Sequence, residues 1–223
     1  MGCWCLFSFE FHPAKFLENK RAFRGVVFVN GTLGKVKMAI GDLLDRQLVK
    51  RILKGDEKAA DVLVRRYQAR AFQVARAVLL EDEAARDAVQ DAFLRMIASL
   101  RSYDHGQPFW PWFRRIVVNT SLNAAREQVR RRLREQQCAE EDSARAGQDE
   151  DPAERADFRA AVERALEKLS PELRAVFALR VQQDLSYREI ADVLGVPVGT
   201  VMSRLAKVRS FLRSELKDYV NVR

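Results

Sequence analysis

The sequence predicts an all-α protein: two small helical domains joined by a flexible acidic linker, the second domain ending in a helix-turn-helix. Three observations lead there. Apolar residues recur at spacings of three and four from about Gly41 to Arg134, and again from Phe158 to the end, which is the period of amphipathic helices. Between these blocks the composition turns acidic and loses its large apolar residues. Strand alternation, internal repeats and Gly-rich phosphate loops are absent from the sequence. The expected organisation is an extension over residues 1–37, a helical domain over 38–135, a linker over 136–157 and a helical domain over 158–223.

The first 37 residues mix aromatic residues, glycines and lysines without helical or alternating period. They lack the basic start, apolar core and small-residue cleavage site of a signal peptide. Met1-Gly2 lacks the downstream Ser or Thr that a myristoylation signal requires. Regular amphipathic helix is expected soon after Met38. We therefore read Met38 as the natural start and the preceding stretch as an extension without a folded role.

The N-terminal block reads as four helices. The first runs from about Asp42 to Leu53 and ends near Gly55. The second, from about Glu57 to Leu79, is expected to bury Leu63, Tyr67, Val74 and Val78. The third starts around Asp82, expected as N-cap with acids in the first turn, and carries Ala85, Val89, Phe93, Met96 and Leu100 inward. A loop from Tyr103 to Pro108 breaks the pattern. The fourth helix then runs from Phe109 or Trp110 to Arg134, with Pro111 tolerated because it falls in the first turn.

From Gln136 to Asp157, eight acids face only Arg145 and Arg155. Such a segment buries too little surface to offset chain entropy, so a flexible linker is expected. Helical period returns with Val162, Leu166 and Leu169. Ser170-Pro171-Glu172 then caps a helix that carries Leu173, Val176, Phe177 and Leu179 inward. About 65 residues is near the lower limit for an independent core, so this domain is expected to be compact and to lean on partners.

A net charge of +8 and a pI near 9.7 favour a polyanionic partner. Cys3, Cys5 and Cys138 are too few and too badly spaced for a disulfide framework or a four-ligand zinc site, and a reducing cytoplasm is expected. His12 and His105 are isolated from any nucleophile. We expect no cofactor, no metal, no small-molecule substrate and no catalytic activity. No apolar run approaches the ~20 residues that span a bilayer, so membrane insertion is not expected.

Ser186 to Leu205, SYREIADVLGVPVGTVMSRL, carries the strongest functional signal. A short helix with Ile190, Ala191 and Leu194 on one side stops at Gly195, whose backbone freedom suits a sharp turn. Pro197 suits the start of the next helix, which runs to about Phe211. In it Val201, Leu205, Val208 and Leu212 form an apolar back. Gly199, Ser203, Ala206, Lys207 and Ser210 lie opposite, with Thr200, Met202 and Arg204 on the flanks. A small, polar, basic front on an apolar back suits entry into the DNA major groove. The competing reading is an ordinary amphipathic pair in a bundle.

On the fourth helix, Trp112, Arg115, Asn119, Asn123 and Arg126 share one face at spacings of three and four, with Phe113, Val117, Thr120 and Ala124 opposite. Aromatic, amide and guanidinium groups in one row are those that stack on unpaired bases, bond base edges and hold phosphates. Trp110 and Trp112 are also expected to pack partly inward. The run Arg130-Arg131-Arg132-Leu133-Arg134 reads equally as a solvated helix end or as phosphate contacts. On the third helix, Asp87, Gln90, Asp91, Leu94 and Ala98 face away from the core. Leu94 bordered by acids suits docking of another protein's helix, against the alternative of a singly exposed leucine.

These residues together resemble the bacterial RNA polymerase sigma factors of the extracytoplasmic-function (ECF) group, over roughly Asp42 to Leu216. Three stretches carry the resemblance: DAVQDAFLR at 87–95, WFRRIVVNT at 112–120, and LSPELRAVF at 169–177 continuing through the helix-turn-helix. The last is the most specific. The resemblance implies two helical domains joined by a linker. It implies that Asp87, Gln90, Asp91 and Leu94 bind polymerase core, at the clamp of the largest catalytic subunit. Phe93 stands apart from them because it points inward. Asn119 and Asn123 would meet the parted minus-10 strand, supported by Trp112, Arg115 and Arg126, and the loop from Asp104 to Phe109 would help capture a flipped base. Thr200, Met202, Ser203, Arg204 and Lys207 would read the minus-35 duplex. Met202 replaces the basic residue often found there, which leaves the recognised sequence open. The linker would thread toward the RNA exit path, and an anti-sigma factor, often membrane-bound, would occlude these faces.

The implied function is to direct polymerase core to promoters and promote strand opening. A stand-alone helix-turn-helix regulator is the alternative. It leaves the Trp/Asn/Arg face and the acidic segment without a role. An enzyme acting on nucleic acid is disfavoured because no metal-ligand cluster accompanies carboxylates such as Asp87 and Asp91.

Overall fold

Regular structure throughout the described residues, 33–138 and 154–220 of a computed structural model, is helical. The first half contains α1 (Leu33–Ile52), α2 (Glu57–Leu79), α3 (Asp82–Ser99), a 3-10 turn (Leu100–Ser102) and α4 (Phe109–Cys138). The second contains α5 (Glu154–Glu167), α6 (Pro171–Val181), α7 (Tyr187–Leu194), α8 (Val198–Glu215) and the short α9 (Lys217–Val220).

Helix starts follow local chemistry. Asp56 caps α2 by accepting from the Ala59 amide, and Ser170 caps α6 by accepting from Leu173 with Pro171 just inside. The start of α3 differs from expectation. Glu81 holds the N-cap position without a side-chain cap, and Asp82 is already helical. Asp82 instead pairs with Arg76 at 2.5 Å and reaches Arg86 at 3.9 Å, so α2 has drawn that carboxylate away from the capping position. Leu80, in left-handed conformation at φ 65°, makes the tight corner between α2 and α3.

Helix also extends past the expected boundaries. α1 begins five residues before Met38, inside the stretch read as an extension. α4 reaches Cys138 and α5 begins at Glu154, both inside the stretch read as linker. The residues added to α4 and α5 include Gln, Glu and Ala, which are good helix formers, and propagating an anchored helix is far easier than nucleating one. The remainder of the linker (139–153) and of the extension (1–32) lies outside the described residues.

α2, α3 and α4 pack pairwise around Leu63, Tyr67, Val74, Val78, Val89, Phe93, Met96, Phe109, Phe113 and Val117, with α1 laid across α2. The inward residues expected for α2 and α3 are all buried. An aromatic cluster fills the centre. Tyr67 stacks on Trp110 at 5.6 Å and 4°, and Phe113 lies 4.7 Å from Phe93. Asp45 of α1 is buried against this wall, bound by Arg66 and by the Tyr67 hydroxyl.

The C-terminal helices divide their apolar surface between two cores. Ala161, Ala165, Leu169, Val208, Leu212 and Leu216 form a small core of their own, with Phe158 and Tyr219 at its edge. Val176, Leu179, Leu185, Ile190, Val201 and Leu205 instead join the large cluster that runs into the N-terminal helices. α6 packs on both α2 and α4, and α7 packs on α4. The second block is too small to bury both faces of its helices alone, and it completes its core against the first.

Candidate nucleic-acid interface

The helix-turn-helix is built by short-range signals. Ser186 and Glu189 form a reciprocal capping box at the start of α7: Glu189 N–H donates to Ser186 Oγ at 3.3 Å, and Ser186 N–H donates to Glu189 Oε2 at 2.8 Å. These bonds hold the Glu189 carboxyl below its ordinary value, helped by the charge of Arg114. Gly195 closes α7 in left-handed conformation, at φ +64°, where a side chain would be strained. Pro197 then occupies the N-cap of α8.

Val201, Leu205, Val208 and Leu212 are buried along the back of α8, while Met202, Ser203, Ala206, Lys207 and Ser210 are exposed in front. Met202 is 53% exposed, unusual for so large an apolar group. Thr200 and Arg204 are half-buried on the flanks, and the Thr200 carbonyl accepts from Ser203 Oγ at 3.0 Å. α8 also continues four residues past Phe211, because Leu212 and Leu216 enter the small C-terminal core.

The expected row on α4 is real as a face. Arg115, Asn119, Asn123 and Arg126 are exposed, and Phe113, Val117 and Thr120 opposite them are buried. Trp112 is half-buried, with its ring 5.1 Å from Tyr103 and 5.6 Å from Phe109. Trp110 is buried outright, between Tyr67 and the Arg70 guanidinium 4.3 Å from its ring centre. The loop beside them is organised rather than loose. Asp104 Oδ1 accepts from the Gly106 amide at 2.8 Å, Tyr103 donates its hydroxyl to the Gln107 carbonyl, and Arg46 reaches the Gly106 carbonyl at 3.2 Å.

Two members of the row are already engaged by the C-terminal helices. Arg115 Nη2 donates to the Asp192 carbonyl at 2.5 Å, and Arg126 Nε pairs with Glu172 Oε1 at 2.9 Å. Burial pushes the Glu172 carboxyl up, but its bonds to Arg126 and neighbouring groups prevail and leave it below its ordinary value. Between the blocks lies a cleft of about 390 Å³, with Pro111, Trp112, Arg114 and Arg115 on one side and Glu189, Asp192 and Val193 on the other.

Arg114 went unrecognised in the sequence reading. It is only 6% exposed, and burial lowers its pKa, Arg70 adding to the effect and Glu189 opposing it. It lies on the inward side of α4, and no local pattern in the sequence announces an acidic partner on another helix. Glu172, Glu189 and Asp192 escaped notice as seam residues for the same reason.

On α3, Asp87, Gln90, Asp91, Leu94 and Ala98 are all exposed, Leu94 at 59%, and Phe93 is buried as its phase requires. Ile97, 46% exposed, extends the apolar part of this stripe. It lies three residues past Leu94, a spacing that helical period could have flagged. Of the arginine run, Arg130 and Arg134 both pair with Glu127, at 2.5 and 3.0 Å. Among the described residues no group of three or more His, Cys, Asp or Glu side chains could hold a metal ion, and no helix is long and apolar enough to cross a membrane.

Comparison with known proteins matches these two blocks separately. Residues 63–131 match the sigma-70 region 2 family, and residues 159–212 match sigma-70 region 4. The RNA polymerase sigma-H factor of Pseudomonas aeruginosa is 32% identical over 181 residues, covering 78% of this chain and 94% of that protein. The ECF RNA polymerase sigma-E factor of Escherichia coli K12 is 34% identical over 187 residues, covering 80% and 97%. Among solved structures, CnrH in complex with the cytosolic domain of CnrY is 27% identical, with a TM-score of 0.55 over 78% of this chain and 98% of that one. The sigma factor RpoE bound to the anti-sigma factor NepR from Bartonella quintana shares the fold, with a TM-score of 0.51 at 24% identity over 70% and 96% of the two chains. With both regions matched in order, and relatives spanned almost end to end, the chain belongs to the sigma-70 family as an ECF sigma factor, a protein that directs RNA polymerase.

Proposed function

We propose a division of labour between the two blocks, in which the α1–α4 block binds polymerase and one parted DNA strand while the α5–α9 block binds duplex. The observation that carries this reading is the presence of two exposed faces suited to nucleic acid on separate blocks of one chain. One is the amide and guanidinium row on α4; the other is the front of α8. Thr200, Met202, Ser203, Arg204 and Lys207 read the minus-35 element, with Arg204 reaching base edges and Lys207 supplying charge toward phosphates. Asn119 and Asn123 hydrogen-bond unstacked bases of the minus-10 element, with Arg115 and Arg126 on phosphates and Trp112 offering a ring to stack on.

Opening follows from differential binding. Base edges reached by Asn119 and Asn123 are available only once the strands part, so each such contact shifts the equilibrium toward the open form. At about 1–3 kcal/mol for a well-made base contact, two or three of them suffice to bias a short melted segment. Asp87, Gln90, Asp91, Leu94 and Ile97 form the polymerase docking stripe: an apolar centre gives area, and the acids around it select a basic partner surface. Bond chemistry stays with polymerase core. An anti-sigma partner covering these faces is part of the proposal, as is a cytoplasmic location. A stand-alone regulator would leave the α3 stripe without a use.

Run-off transcription with purified core polymerase over a promoter library tests this reading. Promoter-dependent transcripts that require this chain are expected. Absence of such transcripts, together with failure to co-purify with core, would overturn it.

A further inference from the structure

The exposed surface of α8 changes character along its length. Val198, Met202, Ala206, Arg209 and Arg213 are all exposed and fall in one column, at spacings of four, four, three and four. That column is apolar through its first turns and basic through its last. Gly199 and Ser203 lie beside the apolar part, so the exposed residues from Val198 to Ala206 carry no charge. Ser203 Oγ already donates to the Thr200 carbonyl at 3.0 Å, which leaves that hydroxyl as an acceptor. Val198 and Met202 are 37% and 53% exposed, and neither belongs to either apolar core.

Gly199 is an independent sign of close approach on the same surface. It sits in the first turn of α8, and a Cβ added there would meet nothing within 4 Å. Packing inside the chain therefore does not ask for glycine, and glycine costs a helix conformational entropy. A missing side chain at that point serves something outside the chain that comes close to the helix.

We propose that Met202, one turn from Val198, selects thymine in the minus-35 element by packing on its C5-methyl group. That methyl is the apolar group that base edges present in the major groove, and no arginine fork of the kind that grips guanine is exposed in these first turns. The order along the column fits: the N-terminal part of a recognition helix meets base edges, and the basic part beyond it suits phosphates. Arg204, half-buried, works from the opposite flank. This inference rests on the reading of α8 as the minus-35 helix and names the base chemistry that one of its residues recognises.

The test uses the full chain reconstituted with core polymerase. Selection from a promoter library randomised over the minus-35 element first gives the preferred duplex. Each thymine of that element is then replaced by uracil, which removes the methyl and keeps every hydrogen-bonding group. Competition gel shift reads the affinity of the reconstituted enzyme. Met202→Ala and Gly199→Leu are compared with wild type, and thermal unfolding checks that each folds. The uracil arm needs only the wild type and stands whether or not a variant folds.

At one thymine at least, uracil should weaken wild-type binding about fourfold, the worth of one methyl group removed from water. Met202→Ala should lose a similar factor and then be indifferent to uracil at that position. Gly199→Leu should weaken binding several-fold at unchanged melting temperature. A selected element without thymine, or uracil substitutions that all leave wild-type affinity unchanged, would overturn the proposal. So would a Met202→Ala loss that multiplies with the uracil loss, the pattern of a methionine docked on a protein partner. Full binding by Gly199→Leu would overturn it too, because the face would then stand too far from the groove floor for a methyl contact. Selection separates the two ideas. If wild type enriches no minus-35 sequence, the reading of α8 has failed and this inference with it; if it enriches an element indifferent to uracil, only methyl recognition has failed.

Discussion

Tyr67 donates its hydroxyl hydrogen to Asp45, whose carboxylate is only 1% exposed where α1 crosses α2. The other oxygen of Asp45 receives Arg66 Nη1 at 2.5 Å, so one buried acid ties the first helix to the second. Arg66 also reaches the Gly41 carbonyl at 3.3 Å. Asp45→Ala removes both side-chain bonds and leaves a void, and should lower stability by about 1–3 kcal/mol. Asp45→Asn keeps an acceptor for Tyr67 and should lose less. Urea unfolding followed by far-UV circular dichroism measures both.

The exposed middle of the α4 row leads to a separation of two activities. In its proposed role Asn119 would reach base edges only after strands part, so Asn119→Ala should impair promoter opening more than duplex binding. Permanganate reactivity of the minus-10 thymines reads opening, and a duplex gel shift reads binding. Loss of about 1–3 kcal/mol of open-complex stability is expected, with little change in closed binding.

On α8, Arg204 and Lys207 should behave differently. Arg204→Ala should relax sequence preference across a minus-35 library. Lys207→Ala should weaken all sites alike and reduce the slope of log affinity against log salt by about one. Equal behaviour of the two variants would count against a base-reading role for Arg204.

The α3 stripe supports a third kind of variant. Asp91→Lys should reduce pull-down of core polymerase, and Leu94→Asp should do so without altering thermal unfolding, since Leu94 is 59% exposed and holds no core contact to lose. Unchanged affinity in both would remove this surface as the docking site.

Acid should loosen the helix-turn-helix through its capping box. Glu189 titrates below its ordinary value of 4.5 in the folded chain because it accepts from Ser186 and faces Arg114. A depressed folded pKa means the stabilisation is present above the unfolded value and is lost as pH falls through the folded one. Glu189→Gln should therefore flatten the decline of melting temperature below that ordinary value, while Ser186→Ala should cost about 1 kcal/mol at neutral pH. Differential scanning calorimetry across pH distinguishes them.

Much of this architecture was legible in the residues. Helical period placed Val201, Leu205, Val208 and Leu212 on one side of α8 and Leu94 on the outer side of α3, because a side chain's direction on a helix follows from its number in the turn. Gly195 and Ser170 marked helix ends, because capping is settled within three or four residues. Asp82 misled for a related reason: it looked like a cap, but Arg76, one turn back across a corner, offered its carboxylate a stronger partner. Helix ends were also harder to place than helix identity, as α1 and α8 both outran their expected limits.

What the sequence alone determined is the set of helices and the outward or inward phase of each side chain. Only the tertiary structure decided which helices meet. It joined Val176, Leu179 and Ile190 to the core of the first block, buried Arg114, and set Arg115 and Arg126 against Asp192 and Glu172, 77 and 46 positions away. Periodicity is a local property of one turn of chain, whereas these contacts depend on how two apolar surfaces of limited size complete each other, and no short pattern records that choice.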